Sequence, residues 1–261
     1  ARPGVAAVGL GIPARIDFES GHAIDTVNLD FAEFPVKDLV EERTGLPAFV
    51  DNDGNVAMMA EALYGAAKGT RNALMLTLGT GVGGGVWIDG KIFRGATGAG
   101  AELGHIVVEI DGPACQGNCP GRGCVEVFAS GTGIGRMGQE AAMAVPNSAL
   151  GRIAAAGTVI TAREVNEAAT AGDAAASGVV ERVGHYLGTA LVTLANVFEP
   201  EVIVLGGGAM ALGELLLEPT RREIANHALS PMNETPVVAA QLGPSAGMIG
   251  AASLARLGLE G

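Results

Sequence analysis

The chain of 261 residues exceeds the usual size of one hydrophobic core, so one large or two modest domains are expected. Hydrophobic residues at 48% exclude a disordered chain, and no apolar run reaches the roughly 18 residues of a membrane span. Sixteen basic against 28 acidic residues leave a net charge of −12, with no basic cluster to follow a phosphate backbone, so nucleic acid is disfavoured as a partner.

Val5 to Ile12 reads as an interior strand entering a glycine-proline turn. Its apolar stretch is too short and too broken by glycine for a signal peptide, and it lacks a basic leader. The chain opens directly on this strand without an initiator Met, so a leading segment is expected to be absent. A second strand at Ala48 to Val50 runs into Asp51, Asn52, Asp53 and Asn55, where a helix over Asn55 to Ala67 begins. One of these residues suffices to cap the helix, and four exceed that need. An Asp at a strand end accepts the proton of an attacking sugar hydroxyl while a neighbouring Asn orients it, so Asp53 is the expected base and Asn52 the orienting group.

Ala73 to Leu78 and Gly85 to Ile88 read as strands on either side of "GTGVGG". Gly79, Gly81 and Gly84 match the dinucleotide pattern formally, but a second strand with an Asp-Gly turn follows where that pattern requires a helix. A Walker A loop is excluded as well, since no Gly-Lys-Ser/Thr ends the run. What remains is a glycine hairpin, including Gly83, whose amides and Thr80 hydroxyl suit phosphate oxygens.

After a further expected strand at Ile106 to Ile110, the chain places its three cysteines within ten positions. Nine residues separate His105 from Cys115, three separate Cys115 from Cys119, and four separate Cys119 from Cys124. Three cysteines cannot all pair within the chain, neither spacing is that of a redox CxxC, and "DGPACQGNCPGRGC" has no apolar periodicity to bury. Tetrahedral zinc held by His105, Cys115, Cys119 and Cys124 is the expected outcome, in a reducing cytoplasm. Zinc on one imidazole nitrogen leaves the other to hydrogen-bond a ligand hydroxyl. The metal loop would also fix Glu102 and Glu126, and carboxylates beside an imidazole suit a polyol.

Helical patterns follow at Ala162 to Thr170 and Ala174 to Phe198, then a buried strand at Val202 to Leu205 running into Gly206, Gly207 and Gly208 and a further helix. Bare backbone and a helix N-terminus beside a strand end suit a nucleotide. A final helix is expected over Met248 to Leu257. Strands and helices mix throughout, which makes the class α/β.

Taken in order, "DND", "LGTGVGGG", "AELGH" and "CPGRGCVE", together with "PEVIVLGGG" and the terminal "GAASLA", resemble the ROK family of sugar kinases and repressors over nearly the whole chain. The resemblance implies an actin-like (ribonuclease H-like) two-domain sugar kinase fold closing over sugar and ATP, with Asp53 as general base. By the same resemblance Asn52, Glu102, His105 and Glu126 contact the sugar, and Gly11 and Asn28 line its site. ATP contacts are implied for Gly79 to Gly84 and Gly206 to Gly208, magnesium for the phosphates, and a homodimer or higher homo-oligomer for the assembly. Two departures stand out. The family's leading Asp-x-Gly-Gly-Thr phosphate loop is missing, so the small lobe is expected to be truncated at its N-terminus. Cys115 and Cys119 are separated by three residues where the common family form has one.

Two kinds of function fit that resemblance: an ATP-dependent hexokinase, foremost a glucokinase making glucose 6-phosphate, or the sugar-sensing domain of a transcriptional repressor. The Asn52-Asp53 pair favours the enzyme, since a sensor has no use for a base. N-acetylglucosamine, N-acetylmannosamine, mannose and fructose are the alternative substrates. The acidic balance argues against a polyphosphate donor. The lobes are expected at residues 1–68 with 247–261, and at 69–246 with the zinc loop.

Overall fold

A computed structural model describes residues 4–26 and 32–260, in which the chain forms two units. The first comprises Ala1–Met75, Gly84–Glu102 and Ala240–Gly261, as far as these are described, and the second Leu76–Gly83 and Leu103–Ala239. The division differs from the expected boundary near Gly69, because it runs through two strands and returns 84–102 to the first unit. Met58 and Gly54 explain that return: a Cβ on Gly85 would lie 2.4 Å from the Met58 Cβ, and one on Gly54 would lie 2.2 Å from the Gly84 carbonyl. No helix among the described residues is long and apolar enough to cross a membrane.

In chain order the first unit begins with β1 (Val8–Ile12), β2 (Ala14–Asp17), β3 (His22–Thr26), β4 (Ala32–Phe34), α1 (Val36–Thr44), β5 (Ala48–Asn52) and α2 (Asp53–Tyr64). Strand β1 pairs in parallel with β5, bringing Gly11 opposite Asp51 and Ile12 opposite Asn52. Strands β2, β3 and β4 form a separate antiparallel sheet over a core of Ala14, Ile16, Ala23, Val36 and Val50. Helix α2 is buried on nearly every side, Met58 and Ala60 at 0% exposure, which its apolar sequence permits.

Strands β6 (Ala73–Leu78) and β7 (Val82–Ile88) flank the glycine turn, and β8 (Lys91–Ile92) follows the expected Asp-Gly turn. Asp89 and Gly90 both take positive φ, 50° and 76°, as a two-residue hairpin requires, and Trp87 pairs with Ile92 across it.

The second unit continues through α3 (Glu126–Ala129), α4 (Gly131–Ala144), α5 (Ala149–Ala155), α6 (Ala162–Thr170), α7 (Ala174–Phe198), β9 (Val202–Gly206), α8 (Glu214–His227) and β10 (Val237–Ala239). Asp173 caps α7 by accepting the Ala176 N–H, and Val179, Val183, Leu187, Leu191 and Leu194 form its buried stripe. Strands β9 and β10 pair in parallel, Ile203 opposite Val237. The expected strand at Ile106 to Ile110 does not form. Val107 makes one isolated bridge with Cys124 and Ile110 is 86% exposed. Val108 and Glu109 both donate to the Gly123 carbonyl, so the segment closes the cysteine loop instead of joining a sheet.

Helix α9 (Ala246–Glu260) completes the first unit. It lies so close to α2 that a Cβ on Gly250 would sit 1.7 Å from the Val56 carbonyl. The chain leading into it is held by Glu61, fully buried in α2, whose carboxylate accepts the N–H groups of Ala66, Gln241 and Leu242 at 2.7, 3.2 and 2.9 Å. Glu61→Ala leaves these donors without their acceptor and is expected to cost about 3 kcal/mol in urea unfolding. An unchanged urea midpoint would show that water replaces the carboxylate at no cost.

Candidate active site and metal centre

Asp51, Asn52 and Asp53 follow one another where β5 becomes α2, and each takes a different role. Asn52 is the helix cap: its Oδ1 accepts the Gly54 and Asn55 N–H groups at 2.8 and 3.3 Å, and its Nδ2 donates to the Ala14 carbonyl at 3.1 Å. Asp51 is 2% exposed and bonds Arg94 through Oδ2, with Nε at 2.9 Å and an Nη at 2.7 Å. Asp53, the first residue of α2, is exposed as a residue. Enough protein surrounds its carboxyl that desolvation raises the pKa above the ordinary Asp value, against the opposing pull of the Gly54 and Asp53 backbone N–H groups. Gly11 faces α2, where a Cβ would lie 2.3 Å from a Val56 methyl, so packing alone accounts for its lack of a side chain. Asn28 lies outside the described residues.

The glycine turn after β6 is tight. Gly79 donates to the Gly81 carbonyl at 2.9 Å, the Gly131 N–H donates to the Gly79 carbonyl at 2.7 Å, and the Thr132 hydroxyl donates to the Thr80 carbonyl at 2.9 Å. Thus the first residues of α4 brace the turn from outside. The second glycine loop meets the same strand: Gly207 has φ 91°, and a Cβ there would fall 2.5 Å from the Leu78 carbonyl oxygen. Only glycine satisfies both conditions. Beyond Gly207 comes a short 3-10 turn, Gly208–Leu212, before α8, where the sequence suggested a direct helix start.

Glu126 stands at the first position of α3. Its Oε2 accepts the Val82 N–H at 2.8 Å, and the same oxygen would meet a Cβ on Gly81 at 2.4 Å. Its Oε1 lies 3.8 Å from the Cys115 sulfur. A single carboxylate therefore joins the glycine turn to the cysteine loop, a connection that no local pattern in the sequence signals.

The structure brings His105, Cys115, Cys119 and Cys124 together, all four ligand atoms lying within 4.8 Å of one another. His105 Nδ1 is 3.5 Å from the Cys115 sulfur. Tetrahedral zinc, with bonds of about 2.0 Å to nitrogen and about 2.3 Å to sulfur, sets such a pair about 3.5 Å apart, so the donor set fits this ion. Gly121 leaves room for the cluster, since a Cβ there would stand 3.2 and 3.3 Å from the Cys124 and Cys119 sulfurs. Burial, followed by the neighbouring thiols, pushes the Cys115 thiol up, and burial pushes that of Cys124 up as well. Such crowded thiols give up their protons most readily to a cation.

Asn52, Asp53, Gly11 and Glu102 belong to the first unit, whereas His105, Glu126, the four metal-ligand candidates and both glycine loops up to Gly83 belong to the second. The ROK family model matches residues 1–257. The chain belongs to the ROK family. This ROK chain is 42% identical over 245 residues to a glucokinase of Halalkalibacterium halodurans, covering 93% of this chain and 74% of that protein. It shares the actin-like fold of ROK sugar kinases. The crystal structure of a ROK family glucokinase from Streptomyces griseus in complex with glucose and AMPPNP matches it with a TM-score of 0.86 at 38% identity, over 97% of this chain and 82% of that one. A ROK family transcriptional regulator, a homolog of the E. coli MLC protein, matches with a TM-score of 0.87 at 27% identity, over 96% of this chain and 62% of that one. Fold alone does not separate the kinase from the regulator, because both share it. Sequence identity does favour the kinase.

Proposed function

We propose that this ROK protein is an ATP-dependent glucokinase, transferring the γ-phosphoryl group of ATP to the 6-hydroxyl of glucose. The observation that carries the reading is Asp53: an exposed residue at the start of α2 with a raised pKa, in a chain 42% identical to a glucokinase. Raising the pKa makes the carboxylate a better proton acceptor, and the Asn52 cap holds its backbone in place. Asp53 takes the hydroxyl proton as the oxygen attacks, and Asn52, Glu102, His105 and Glu126 hold the sugar, with Gly11 along its site. The amides and Thr80 hydroxyl of the turn from Gly79 to Gly84, with Gly206 to Gly208, take the phosphates. Magnesium bound to ATP offsets the charge that develops on the transferred group.

His105 through Nδ1, with Cys115, Cys119 and Cys124, would hold a structural zinc that fixes the loop between His105 and Glu126. Thiolate ligands of this kind belong in a reducing compartment, which makes the cytoplasm the natural setting.

The regulator's match supports a second reading, a sugar sensor without catalysis. Sugar-dependent ADP release with magnesium-ATP decides between them, measured across glucose, mannose, fructose, N-acetylglucosamine and N-acetylmannosamine. The expected result is turnover with the highest kcat/KM on glucose. Clear sugar binding with no turnover on any of the five would replace the kinase with the sensor.

A further inference from the structure

The geometry points to Arg94 as the positioning residue for the catalytic base, acting through Asp51. The inference rests on the kinase reading in that Asp53 is taken as the base. Every acceptor position on the Asp51 carboxylate is in use: Oδ1 accepts the Asn52 N–H and the Asn55 Nδ2, both at 2.8 Å, and Oδ2 accepts Nε and an Nη of Arg94 at 2.9 and 2.7 Å. One oxygen thus holds the turn that presents Asp53, and the other is gripped by a guanidinium. Arg94 arrives from just beyond β8, 43 positions away, at the head of the loop that ends at Glu102. Its open face is covered by Phe18, whose ring centroid lies 3.6 Å from the guanidinium carbon. That loop is seated on β2 as well, where a Cβ on Gly98 would lie 1.9 Å from the Ile16 carbonyl. A nearly dry carboxylate with one fixed cation has a single favourable orientation, and a planar fork sets it more firmly than a point charge. The base and the loop carrying Glu102 are thereby held as one piece within the first unit.

Two variants separate positioning from mere structural support. Arg94→Lys keeps the charge and loses the fork, while Asp51→Asn with Arg94→Met removes the buried carboxylate charge together with its cation and retains an acceptor for the Asn52 N–H. In both, kcat is expected to fall about 10²-fold, as a misplaced base requires, and the glucose KM, which also reports Asn52 and the Glu102 loop, is expected to rise by less than about 10-fold. Amide exchange at Asn52, Gly54 and Asn55 is expected to quicken about 10-fold, with the interior of α2 unchanged. Parental kcat in either variant, or a raised KM at parental kcat, would overturn the inference. Should the parent itself bind sugar without turnover, the kinase reading falls and with it the base, and the amide exchange decides whether Arg94 fixes the turn from Asp51 to Asn55: unchanged protection at those three amides in Arg94→Lys overturns that role, and selective loss upholds it.

Discussion

Asp53→Asn is expected to lower kcat for glucose phosphorylation about 10³-fold while leaving the dissociation constant for glucose within about twofold. The amide keeps the size of the side chain and its place at the start of α2, and the Asn52 cap on Gly54 and Asn55 does not depend on the lost charge. What disappears is the acceptor for the sugar proton. A pH profile gives a second reading of the same residue. The protonated form of Asp53 cannot act as a base, so kcat/KM rises with pH through its ionisation and then levels. Because desolvation raises the Asp53 pKa, that rise lies at higher pH than for an ordinary Asp near about 3.9. Asp53→Asn removes the rise as well as the rate. Stopped-flow or coupled-assay rates comparable to the parent would assign the base elsewhere.

The largest expected effect on stability comes from the metal. Elemental analysis is expected to find about one zinc per chain, falling to near zero in Cys124→Ser, with the melting temperature lowered by about 10 °C. Cys124 is 1% exposed, and the loop around it has few apolar contacts to fall back on. Its backbone is held by Val125 donating to the Ile106 carbonyl at 2.8 Å and by the two donors on Gly123. Loss of the metal also frees Glu126, two residues beyond Cys124, whose carboxylate carries the Val82 N–H of the glycine turn. Both sugar and nucleotide KM values are therefore expected to rise in Cys124→Ser. A metal-free parent with full activity and an unchanged melting temperature would end the zinc reading.

The sequence alone determined what rests on neighbouring residues. Helices α6 and α7 occupy Ala162–Thr170 and Ala174–Phe198, the spans read from apolar periodicity, because each also has a local start: the capping box of Thr161 with Glu164, and Asp173 for α7. Strand β6 and the Asp-Gly hairpin were legible for the same reason, and so was the order of the motifs that carries the ROK resemblance. Tertiary structure decided what depends on distant partners. Helix α4 is not among the helical patterns seen in the sequence: it holds Gly131, Gly133, Gly135 and Gly138, and glycine weakens a helix by about 1 kcal/mol each. Neighbouring chain presses on the helix at these glycines: a Cβ on Gly133 would meet the Val127 carbonyl at 2.4 Å, one on Gly135 the Ile160 carbonyl at 3.0 Å, and one on Gly138 a Val165 methyl at 2.5 Å. Ile106 to Ile110 has strand composition but finds Gly123 before it finds a strand edge. The pairs that organise each unit's part of the site, Asp51 with Arg94 and Glu126 with Val82, span 43 and 44 positions. A carboxylate's type shows in the sequence, but which donor it meets depends on how the chain has folded around it.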